Sequence, residues 1–98
     1  MHKSKEQVIN SIYRAVDEVN RQSPSHAQLS KEPTTILLGD GGVLDSLGLI
    51  NLIVCIEEKI MSEMGTQVIL LDEESLANPE GPYRSVESLA TWILSRIG

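Results

Sequence analysis

Eight large apolar residues crowd positions 47–60 of this chain: Leu47, Leu49, Ile50, Leu52, Ile53, Val54, Ile56 and Ile60. A single amphipathic stripe holds about three or four apolar residues per two turns, so as a helix this segment is apolar around most of its circumference. Such a helix must cover a second face, against a partner or a ligand. The β-branched Ile50, Ile53, Val54 and Ile56 also permit a strand by propensity. The length of the run and the turn signals at both ends favour a helix from residue 46 to about 64. Asp45 or Ser46 is its cap, and Gly65 its stop.

The rest of the chain supplies elements to pack against it. Val8, Ile12, Val16 and Val19, flanked by Ile9 and Tyr13, recur at spacings of three and four, which predicts a first helix over about 5–21. Ser4 is positioned to cap it, and Ser23-Pro24-Ser25 to end it. A polar connection follows to about residue 35, and Ile36-Leu37-Leu38 pins it to the core. Residues 66–71 (TQVILL) alternate like a strand but have no evident pairing partner, so an extended loop docking Val68, Ile69 and Leu71 is expected. Residues 72–77 read as a short helix capped by Asp72, and 86–97 as the last helix, capped by Ser85. The expected fold is all-α: a small four-helix bundle of three long helices and one short, with a long first loop. Ninety-eight residues suit one domain spanning 1–98.

Charge narrows the function. The net charge of −6 opposes nucleic-acid binding, which needs a basic patch, and equally opposes an anionic membrane surface. Residues 45–80 hold eight acids and one base, while the remainder holds six acids and seven bases. The negative field therefore belongs to one half and would steer basic partners there. Cys55 is the only cysteine, so no internal disulfide forms, and its apolar neighbours suit an inert buried thiol. The first residues lack the apolar stretch of a signal peptide, and no run approaches a membrane span. A cytoplasmic monomer is the default expectation.

At the head of the apolar run, Leu44-Asp45-Ser46-Leu47 follows the glycine turn Gly39-Asp40-Gly41-Gly42. This places a serine hydroxyl at a helix start, where unpaired N–H groups and a partial positive charge suit a phosphate ester. The tetrapeptide, its glycine turn, the Glu57-Glu58 pair and the order of helices together resemble the acyl carrier protein family. The resemblance implies that Ser46 carries covalent 4'-phosphopantetheine, installed by a phosphopantetheinyl transferase, with Asp45 and Leu47 beside it. It implies a non-catalytic carrier that holds acyl intermediates as thioesters for fatty acid, polyketide or related biosynthesis. Partners would be acyl-loading and acyl-transfer or condensing enzymes.

Carried over by position, Leu47, Ile50 and Val54 present apolar contacts to partners, Glu57 and Glu58 pair with their basic residues, and Leu52 and Ile56 line an acyl cavity. Common fatty-acid carriers have acids where this chain has Gly48, Asn51 and Lys59, so the resemblance is to a specialised member. A peptidyl or aminoacyl carrier remains an alternative, as does a helical interaction adaptor without a prosthetic group. A serine hydrolase is disfavoured, because there is no Gly-x-Ser-x-Gly elbow and the only histidines are His2 and His26. The glycine turn lacks the lysine of a phosphate-binding loop, and Asp40 and Asp45 lack calcium-loop spacing.

Overall fold

A computed structural model describes residues 4–22, 28–39, 42 and 44–97, except for the side chain of Ser46. Four helices occur among them: α1 (Lys5–Arg21), α2 (Ser46–Met64), α3 (Glu73–Leu76) and α4 (Val86–Ile97). Extended pairing among the described residues is limited to one isolated bridge, Ile36 with Ser85. Helix α1 packs against both α2 and α4.

Local chemistry sets the helix ends. At α1 the Ser4 hydroxyl accepts from the Gln7 N–H, and the Gln7 side chain accepts from the Ser4 N–H, a reciprocal box that satisfies two free donors. Helix α2 ends at Gly65, whose φ of 65° suits a residue without Cβ. Helix α4 has its first donors matched one by one. Thr35 and Pro33 carbonyls accept from Val86 and Glu87, and the Ser85 hydroxyl accepts from Ser88. Residues 33–37 are thereby tied to the start of α4, and Leu37 is driven into the core. The proposed stop of α1 at 23–25, both histidines and Asp40 lie outside the described residues.

The core is aliphatic. Val8, Ile12 and Val16 of α1 meet Leu49, Leu52, Ile53, Ile56 and Ile60 of α2 and Val86, Leu89 and Ile93 of α4. Tyr83 is the one fully buried aromatic, edge-on to Trp92 with ring centroids 5.6 Å apart. Leu29 is seated by Asn20, whose side-chain amide bonds both its N–H and its carbonyl.

Two expectations are corrected. In segment 66–71 Val68 packs against the core as expected, but the fully buried residue is Leu70, whereas Ile69 is 74% exposed and Leu71 43% exposed. The cause is long-range: Glu57 and Tyr83 grip the backbone around Leu70 and set which side chain turns inward. Asp72 is the N-cap residue of α3 as expected, but its carboxylate accepts from the Ser75 hydroxyl and not from a backbone N–H.

Candidate functional site

The glycine turn before α2 is real at its ends. Gly39 has φ of 95°, in the left-handed region, and its carbonyl accepts from the Gly42 N–H at 3.0 Å. A Cβ on Gly39 would lie 3.3 Å from the Pro79 Cβ, so the turn nests against the chain leading to α4. Asp45 is the N-cap of α2. Its Oδ1 accepts from the Gly48 N–H at 2.7 Å, and its carbonyl accepts from Leu49 at 2.9 Å. Ser46 is therefore the first residue of a 19-residue helix. Its side chain lies outside the described residues.

One face of α2 stays apolar at the surface. Leu47 is 67% exposed and Val54 41%, with Ile50 half-buried between them. These positions fall at helical spacing on one face. Leu52 and Ile56 are fully buried in the core. Helix α2 thus covers its inner face within the protein and leaves part of its second apolar face open.

The acids do not stand alike. Glu58 is exposed and makes no ion pair among the described residues. Glu57, adjacent in sequence, is half-buried and accepts from the N–H groups of Leu70 and Leu71 at 2.6 and 3.3 Å. Glu63 pairs with Arg14 at 3.1 Å and accepts from the buried Ser11 hydroxyl. Glu80 pairs with Arg84. Of the negative half, Glu58, Glu73 and Glu74 project most freely.

A cluster that sequence reading missed joins α1 to α2. Glu18 accepts from the Cys55 thiol at 2.7 Å and pairs with Lys59 at 3.2 Å. Burial, then the Glu18 hydrogen bond, pushes the Cys55 thiol up to about 12, so it is a poor nucleophile. The bond from Cys55, then that from Lys59, holds the Glu18 carboxyl below its usual value. Helical periodicity places Cys55 and Lys59 on one face of α2, but no sequence signal matches them to Glu18.

Among the described residues there is no group of three side chains suited to a metal ion, and no helix is long and apolar enough to cross a membrane. No family model, curated protein or solved structure matches this chain.

Proposed function

We propose that this protein is a non-catalytic carrier bearing 4'-phosphopantetheine on Ser46, with an acyl carrier protein-like fold. The observation that carries the reading is the position of Ser46 as first residue of α2, behind the Asp45 cap and beside the exposed Leu47. A helix's first turn offers backbone N–H groups and positive dipole to a phosphodiester. Gly48 adds no side chain in that turn, so the residues present fit the group.

Ser46 would anchor the arm, and Leu47, Ile50 and Val54 would meet the enzymes that load and unload it. When bound, the arm supplies a flexible thiol on which an acyl group is held. Lys59 stands where common fatty-acid carriers have an acid, and it is turned to Glu18 of α1. An apolar contact face with few free acids supports a carrier dedicated to its own set of enzymes.

Intact mass tests the assignment. After incubation with a phosphopantetheinyl transferase, coenzyme A and Mg²⁺, the wild-type chain should gain one phosphopantetheine and Ser46→Ala none. An unmodified wild type, or a modified alanine variant, rejects the reading.

A further inference from the structure

Leu70 is held through both of its backbone polar groups by side chains from two other parts of the chain. Its side chain is fully buried between two exposed neighbours, Ile69 and Leu71. Its N–H donates to Glu57 of α2 at 2.6 Å, and its carbonyl accepts from the hydroxyl of Tyr83, just before α4. The same hydroxyl accepts from the Asp72 N–H at 3.0 Å, and Glu57 takes the Leu71 N–H as well. Backbone that runs without a sheet or helix partner thus has its polar groups matched by two side chains from opposite directions. The segment leaves α2 through Gly65, which has left-handed φ and where a Cβ would meet nothing within 4 Å. Beside it, Gln67, Val68 and Ile69 form one wall of a groove of about 520 Å³, and Glu57, Glu58 and Met61 lie on the other.

We infer that residues 66–72 form a flap hinged at Gly65, with Glu57 and Tyr83 as its two latch points and Leu70 as its plug. Releasing the latch withdraws Leu70 from the core and joins its socket to the adjoining groove. Glu57 serves this role as a hydrogen-bond acceptor. Its negative charge is secondary, although charged acceptors bond more strongly than neutral ones. The flap does not rest on the reading of Ser46, and its test uses the unmodified chain.

Amide hydrogen exchange on the full chain, followed residue by residue, distinguishes a flap from unrelated bonds. Glu57→Ala should speed exchange at Asp72, whose N–H it does not touch. Tyr83→Phe should speed exchange at Leu70, whose N–H is held by Glu57. Each cross-effect should reach about tenfold, the scale of one net hydrogen bond, with the amides of α1 and α4 unchanged. Glu57→Gln keeps a carbonyl acceptor and should stay much nearer wild type than Glu57→Ala. Nile red, a neutral apolar dye, should bind better to Glu57→Ala than to wild type.

If each variant frees only the amides it touches, or all helices speed up together, there is no flap. Equal effects of Gln and Ala at position 57 overturn the acceptor role, and unchanged dye binding overturns the opened socket. Should Tyr83→Phe fail to fold, Glu57→Ala read at Asp72 still decides.

Discussion

Cys55 on α2 donates its thiol hydrogen to the Glu18 carboxylate on α1, 2.7 Å away, and Lys59 closes on the same carboxylate one turn further along. The thiol keeps its proton because burial and the neighbouring carboxylate both disfavour a thiolate. Folded protein should therefore react with iodoacetamide far more slowly than the same chain in urea. A shift from 9.0 to about 12 leaves roughly a thousandfold less thiolate at pH 8. Below pH 9 the contribution of the protonated thiol to stability is fully present. It is lost as pH rises toward 12, because the unfolded chain ionises first. Glu18 works in the opposite direction: its carboxyl is lowered in the folded state, so its contribution holds above about 4.5 and fades on acidification. Equal labelling rates for folded and unfolded chains would sink this account.

Leu70 and Ile69 provide a paired test of the corrected loop. Leu70→Ala removes a fully buried side chain and should cost about 2–5 kcal/mol in chemical denaturation. Ile69→Ala, on a side chain 74% exposed, should stay within about 0.5 kcal/mol of wild type. The reverse order would mean that the Glu57 and Tyr83 clasp does not set which residue faces inward.

That loop shows where sequence reading stops. The bounds of α1, α2 and α4 were legible because their signals are local: Ser4, Asp45, Gly65 and Ser85 each act within a few residues. Segment 66–71 was not, because its facing depends on side chains 13 positions away, Glu57 for the Leu70 N–H and Tyr83 for the Leu70 carbonyl. The same cause separates Glu57 from Glu58. Adjacent residues point about 100° apart on a helix, and only the position of the flap tells which is occupied. At the candidate site, the cap and the place of Ser46 in α2 were legible, while the Glu18–Cys55–Lys59 cluster depended on how α1 docks.

Charge counting also needs the fold. Glu63 and Glu80 are neutralised by Arg14 and Arg84, both from the basic half of the chain. Glu58, Glu73 and Glu74 are left to project outward. Association with a phosphopantetheinyl transferase should weaken as salt rises, since exposed charges are screened beyond about 10 Å at 0.1 M. Glu58→Gln should flatten that dependence more than Glu63→Gln does, measured as association rate against ionic strength. A rate that is flat for wild type removes the steering role of the acidic half.

Gly48 is where the candidate site and helix stability meet. A Cβ built there would lie 3.1 Å from Asp45 Oδ1 and 3.2 Å from Leu44 Cδ2. The carboxylate oxygen is already fixed by its 2.7 Å bond from the Gly48 N–H, so it can retreat only by loosening the cap. Replacing glycine by alanine within a helix ordinarily gains about 1 kcal/mol. Here Gly48→Ala should fall short of that gain, because a weakened cap offsets it by up to about 0.5–2 kcal/mol. In an Asp45→Ala background the crowding carboxylate is gone, and the same change should recover the full gain. An acid at position 48 would add charge repulsion to the crowding, whereas Asn51 is exposed, on the rim of a hollow it shares with Glu18 and Glu58. Asn51→Glu should therefore be the better route to an acidic carrier face, lowering the melting temperature less than Gly48→Asp does and raising use by enzymes that prefer acidic carriers. If Gly48→Ala stabilises the wild-type chain as much as the Asp45→Ala variant, the cap is not crowded. The missing side chain beside Ser46 would then need an explanation other than the geometry of the helix start.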